Sequence, residues 1–352
     1  MGLPNSGKSS LFNALTGGSA LVATHPFSTT ETAVGVAQLP DKRLDQLAAM
    51  SASRKVVRAG FEVSDIGGLV AGSDRGEGLG NRFLAGIREV DALVYVLRAF
   101  EDDNVPGESD PAAALGVLEL ELVLADLASI ESQLSRQRKA ARANPALAGA
   151  TAAMEAAVAA LEAGTPVYRS ALGAEQRRAL VPLFLLTNKP VLAVVNVAEG
   201  QLSAADAIVS PVAAELGEGS DVLAVSVQLE AEAAELDAAE RAELLEGLGL
   251  GEGALARVAH AAYHLIGRRT FFTTGDKESR AWTYRAGAKA PECAGVIHSD
   301  LQRGFIRAEV IHWDELLAIG PWQAAKAQGR IRLEGKDYEV QDGDVLEIRF
   351  NV

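Results

Sequence analysis

Gly2-Leu3-Pro4-Asn5-Ser6-Gly7-Lys8-Ser9 fits G-x-x-x-x-G-K-[ST], the pattern of a phosphate-binding loop. The two glycines let backbone N–H groups close around phosphate oxygens with no Cβ in the way. Lys8 brings positive charge to the β- and γ-phosphates, and the Ser9 hydroxyl is a Mg²⁺ ligand. Ser10-Leu11-Phe12-Asn13-Ala14-Leu15 continues as a helix whose N-terminal dipole faces the same phosphates. Nucleotide contacts are therefore expected from Asn5, Ser6, Gly7, Lys8, Ser9 and Ser10, with Lys8 also acting in catalysis. Such a loop follows a buried parallel strand, yet only Met1 precedes Gly2. About seven to ten further residues, room for one strand, are expected ahead of Met1 in the native chain.

Outward from the loop, Phe61-Glu62-Val63-Ser64-Asp65-Ile66-Gly67-Gly68 reads as a strand ending in D-x-x-G. Asp65 then reaches Mg²⁺ through water, and the Gly68 N–H reaches the γ-phosphate. Between the two motifs, Pro26-Phe27-Ser28-Thr29-Thr30 offers a second hydroxyl, with Thr29 favoured over Thr30. The expected metal set is Ser9, Thr29 and Asp65. Gly67, Gly68, Gly72, Gly76, Gly78 and Gly80 suit a loop that reorders with the γ-phosphate. Leu69 stands where many GTPases carry a water-orienting Gln, and an aliphatic side chain cannot hydrogen-bond to the attacking water. Lys8, Gly68 and Leu69 form the expected catalytic set. Hydrolysis then recruits another group, a potassium ion near Asn5, or a partner; otherwise it is slow.

Guanine specificity usually comes from N-K-x-D after a later strand. Asn188-Lys189-Pro190-Val191 is a decoy, because it precedes a strand and has no Asp. The strand Val191–Val195 ends at Asn196-Val197-Ala198-Glu199, where the Lys is gone and the Asp has become Glu. The longer carboxylate crowds guanine, and adenine lacks the N1–H and N2 donors that reward an Asp, so ATP competes. Val222-Leu223-Ala224-Val225 leads to Ser226, in place for a base- or ribose-contacting loop. The expected base-side contacts are Asn196, Val197, Glu199 and Ser226.

The chain has 352 residues, nearly half of them apolar, and a formal net charge of −14. The apolar content allows large buried cores. The acidity argues against a general nucleic-acid coat and leaves room for local basic contacts. Residues 270–352 carry a net charge of −2, and the remainder carries −12. The lone Cys293 excludes an internal disulfide framework. No apolar run approaches the ~20 residues of a membrane-spanning helix.

From Pro111 to about Leu180 the sequence is rich in Ala, Leu and Glu. Leu120, Val123, Leu127, Ile130 and Leu134 alternate spacings of three and four, a helix-pairing seam. Asn144-Pro145 breaks it, and Leu147, Met154, Val158 and Leu161 mark a second helix. An antiparallel hairpin inserted in the nucleotide domain is expected, with Arg136, Arg138, Lys139 and Arg142 near its turn. After Thr270, short alternating segments with turns predict a β-rich domain. Trp282 and Phe305 are expected in its core. Arg303, Arg307, Arg330, Arg332 and Lys336 could line a phosphate-facing surface.

The P-loop, the Thr loop, D-I-G-G-L and the late N-V-A-E resemble the YchF/Obg-like ATPase family. Gly2–Thr16 looks like that family's G-L-P-N-x-G-K-S-x-L-F-N-A-L-T. Gly76–Phe83 is similar to its G-E-G-L-G-N-x-F, and Gly304–Ala308 to its G-F-I-R-A. The segment Glu334–Tyr338 and the end Phe350-Asn351-Val352 also resemble it, and the last domain resembles the β-grasp TGS domain. The resemblance implies an α/β fold: a Ras-like P-loop NTPase domain (1–108 and 181–269), an inserted helical domain (109–180) and a TGS domain (270–352). It also implies ATP preferred over GTP, Mg²⁺, slow hydrolysis, cytoplasmic location and a role in translation or stress response. The implied partner is the ribosome, its large subunit and RNA, with neither membrane nor DNA. Ser6 replaces the family's usual Val. Many relatives carry a histidine in the loop matching Glu101–Glu108, where this chain has none. Two alternatives stay open: a ribosome or RNA adaptor that hardly turns over, and a guanine-specific Obg-type ribosome-assembly GTPase.

Overall fold

The computed structural model describes residues 1–18, 21–23, 32–65, 86–101, 107–217, 219–248, 250 and 253–351. The strands, numbered along the chain, are β1 (Leu21–Ala23), β2 (Thr32–Gln38), β3 (Val56–Val57), β4 (Gly60–Asp65), β5 (Leu93–Arg98) and β6 (Val191–Asn196). They continue as β7 (Asp221–Val225), β8 (Arg268–Thr273), β9 (Ser279–Arg285), β10 (Phe305–His312), β11 (Arg332–Glu334) and β12 (Asp344–Phe350). The chain divides into two compact units. One comprises Met1–Gly35 with Val63–Leu265, the other Val36–Glu62 with Ile266–Val352.

In the first unit β5, β6 and β7 form a parallel sheet in that order. β6 is an unbroken apolar run ending in Asn196 and is buried at every position, as a strand covered on both faces must be. Met1 extends the pairing: its N–H group donates to Val94 O and its carbonyl accepts from Val96 N. β4 lies beside β2 in a separate three-stranded sheet, order β1-β2-β4.

The helix Pro111–Ala143 starts where Asp110 accepts from Ala112 N and Ala113 N, with Pro111 in the first turn. It changes partner along its length. Ala114, Leu115, Leu118 and Leu122 pack on β5 and β6, while Val123, Ile130 and Leu134 pack against Met154, Ala157 and Leu161 of the helix Ala148–Glu162. The expected break falls at Asn144, whose side chain accepts from Ala146 N. One seam position is corrected: Leu120 is 54% exposed, because the helix turns Leu118 and Leu122 toward the sheet there.

The second unit is a six-stranded mixed sheet, order β11-β10-β12-β8-β9-β3. Phe271, Tyr284, Phe305, Val310 and Leu346 pack with Cys293 of the helix Ala290–Ile297 on one face. Trp282 lies against this core, stacked on Phe271. The segment Val36–Glu62, expected in the nucleotide domain, lies in this unit. β3 pairs with β9, and Arg43 of the helix Lys42–Met50 binds Asp342 at 2.7 Å and covers the Phe272 ring.

Candidate nucleotide-binding site

The P-loop runs from Met1 beside β5 into the helix Lys8–Thr16. Its close turn depends on two glycines. A Cβ on Gly2 would lie 2.3 Å from Val96 O, and Gly7, at φ 92°, would place one 2.4 Å from Asn196 Nδ2. Asn5 also adopts a left-handed backbone, at φ 62°, a conformation Asn tolerates better than most residues. Leu11 N donates to Gly7 O and begins the helical ladder.

Lys8 Nζ donates to Leu3 O at 2.9 Å. Burial pulls its pKa below the ordinary lysine value, opposed by the Asp65 charge. Ser9 Oγ donates to Asp65 Oδ2 at 2.7 Å, so the two residues converge from motifs 56 positions apart. Among the described residues no group of three or more His, Cys, Asp or Glu could hold a metal. A hydroxyl and a carboxylate oxygen fit Mg²⁺ all the same, since this ion takes one or two protein ligands and completes its shell from phosphates and water. Thr29, Gly68 and Leu69 lie outside the described residues, as does most of the Glu101–Glu108 loop.

Asn196 ends β6 and is buried. Its Nδ2 donates to Ser6 O at 3.1 Å and its Oδ1 accepts from Val227 N at 3.2 Å. Val197 is buried in the core and its N–H donates to Val225 O, so neither its side chain nor its N–H faces a ligand. Glu199 is exposed at the start of a short turn. Gln201 braces that turn, accepting from Ala198 N and donating to Ala99 O. Ser226 is buried at the start of the helix Val227–Glu235. Ser10 is exposed on the first turn of its helix. The Ser6 hydroxyl is buried and, among the described residues, has no hydrogen-bond partner.

The bracing roles of Asn196 and Gln201 were not visible in the motifs. Gln201 makes only the second half of a capping box, because Ala198 has no side-chain oxygen, so the sequence carried no capping signature. The decoy Lys189 is used structurally, with Nζ donating to Arg88 O and Val90 O.

A loop shaped to close around phosphates, next to a parallel sheet and to a hydroxyl–carboxylate pair fit for Mg²⁺, places the first unit among the P-loop NTPases. A model of 50S ribosome-binding GTPases matches residues 1–119, and the C-terminal model of YchF GTPases, described as a protein of unknown function (DUF933), matches 269–351. Over 361 residues the chain is 44% identical to a Bacillus subtilis protein named ribosome-binding ATPase YchF, covering 100% of this chain and 98% of that one. A protein of the same name from Escherichia coli O157:H7 is 44% identical over 358 residues, with the same coverage. The solved Schizosaccharomyces pombe YchF GTPase superposes with a TM-score of 0.83 at 31% identity, covering 99% of this chain and 96% of that one. The chain belongs to the YchF family. No helix among its described residues is long and apolar enough to cross a membrane.

Proposed function

We propose that this protein is a Mg²⁺-dependent ATPase that prefers ATP to GTP and binds the cytoplasmic ribosome according to its nucleotide state, regulating translation or the stress response. The loop after β6 carries the base preference. Glu199 stands exposed where a guanine-specific loop has Asp, and Val197, buried, stands where it has Lys. Ser9 and Asp65, with Thr29, would hold the Mg²⁺, which neutralises phosphate charge when bound. Lys8 serves the β- and γ-phosphates, and the Gly68 N–H serves the γ-phosphate. The ribosome, its large subunit in particular, is supported by the names of the relatives and of the matching N-terminal model.

Calorimetry with ATP and GTP tests the base assignment. ATP binding about tenfold tighter or more is expected, and tighter GTP binding overturns it. Cosedimentation with ribosomes in ATP, ADP and a non-hydrolysable analogue tests the partner. A second reading, an adaptor that hardly turns over, is favoured by the aliphatic Leu69. Phosphate release with and without ribosomes, in potassium and in sodium, separates the two.

A further inference from the structure

The helix Ala254–Leu265 packs on β6 and β7, with Leu255, Val258, Ala259, Ala262 and Tyr263 buried. The helical period puts Arg257, His260, Ala261 and His264 together on its outer face. His264 is exposed and His260 is partly so. Four residues apart, the two imidazoles are neighbours on the helix surface, with ring centroids 6.3 Å apart. The buried Tyr263 ring borders His264 at 6.1 Å and narrows its choice of rotamers.

Two histidines at i and i+4 on one helix face are the spacing by which a helix grips Zn²⁺. An ion bonded at about 2.0–2.1 Å to one nitrogen of each ring needs the imidazoles turned slightly toward each other. Side chains on an outer helix face have room for that rotation. Each ring gives the ion a single nitrogen, and a hydrogen bond on the other nitrogen fixes tautomer and orientation. His264 lies in the last turn, where the helix dipole favours a cation. Arg257, on the same face one turn before His260, opposes one.

We infer that His260 and His264 form a chelating site for a borderline divalent transition ion, Cu²⁺ most tightly and Ni²⁺ or Zn²⁺ less so. Imidazole suits these ions, and the Irving–Williams order ranks them. Water completes the shell, and two protein ligands make the site more exchangeable than one with three or four. Mg²⁺ is hard and takes oxygen ligands, so the ion of the nucleotide site does not compete here. The bound ion ties the last turn of this helix to the turn before it, behind the strands that lead to Asn196 and Ser226.

Titration of Cu²⁺ into the untagged full-length protein at saturating Mg²⁺ tests the site. The tightest-bound ion is expected to show two nitrogen ligands by electron paramagnetic resonance, and one in His260→Ala or His264→Ala. Each of these variants is expected to lose about tenfold or more in affinity, since removing even an outer partner of a metal ligand costs about 10–100-fold. His298→Ala removes an exposed imidazole elsewhere and is expected to change affinity by about threefold or less, as an independent position should. Arg257→His puts a third imidazole three residues before His260 and removes the opposing charge. It is expected to raise affinity about tenfold, a gain that damage to the fold cannot produce. A wild type that binds no Cu²⁺, unchanged affinity in either His260→Ala or His264→Ala, an equal loss in His298→Ala, or no gain in Arg257→His would overturn the site.

Discussion

Asn196 Nδ2 donates to the carbonyl of Ser6 at 3.1 Å, across 190 residues of sequence. Through its Oδ1 the same side chain accepts from Val227 N, so one amide ties the phosphate loop to the loop after β7. Gly7 packs against that amide with no room for a methyl group.

Asn196→Ala would leave a buried carbonyl and a buried N–H without partners, a loss of about 1–3 kcal/mol each when unrelieved. A lower melting temperature and an ATP affinity reduced about tenfold are expected. Gly7→Ala is expected to be at least as damaging, through the contact and its φ of 92°. Combined, the two changes should cost less than their sum, because Asn196→Ala removes the atoms the methyl group meets. Strict additivity in melts and calorimetry would contradict this packing.

The Ser9–Asp65 contact makes a metal-specific prediction. Ser9→Ala should move the Mg²⁺ midpoint for ATP binding upward by about tenfold while leaving the melting temperature nearly unchanged. Chelating Mg²⁺ should weaken ATP binding to wild type more than to the variant. Superimposable Mg²⁺ titrations would remove Ser9 from the metal site.

Glu199→Asp shortens the exposed carboxylate to the length a guanine-specific loop uses. The ratio of ATP to GTP affinity is expected to fall by about tenfold, read by paired calorimetric titrations. An unchanged ratio would place base selection elsewhere.

The phosphate loop was legible because its chemistry uses neighbours in sequence, and backbone turns of this kind need particular residue types. The Asn196 brace was not, because a side chain that joins two loops leaves no periodic trace. The long helix misled at Leu120 for a related reason: heptad spacing predicts a single partner, whereas this helix serves the sheet first and a second helix later. Membership of Val36–Glu62 in the second unit depends on β3 pairing with β9, more than 200 positions away, and pairing at that distance has no local signature.

Glu309 supplies a prediction about pH. Burial opposes its charge, but hydrogen bonds from Arg349 and Lys326 outweigh this and hold its pKa below the ordinary carboxylate value. A carboxylate depressed in the folded state stabilises the fold above the unfolded value, near about 4.3, and loses that contribution as pH falls through the folded value. Glu309→Gln should lower the melting temperature at neutral pH and narrow its gap to wild type as the pH drops below about 4. A constant gap across the acid range would show that the carboxylate charge contributes nothing.

The walled-in Ser6 hydroxyl has a consequence for adaptation. The motif uses this residue's backbone, while the side chain lies among buried atoms. Removing an unpartnered buried hydroxyl, as in Ser6→Ala, relieves a desolvation cost and leaves the phosphate-facing atoms in place. Heat tolerance and ligand chemistry are therefore separable at a single position, and a lineage moving to warmer conditions could gain the first without altering the second.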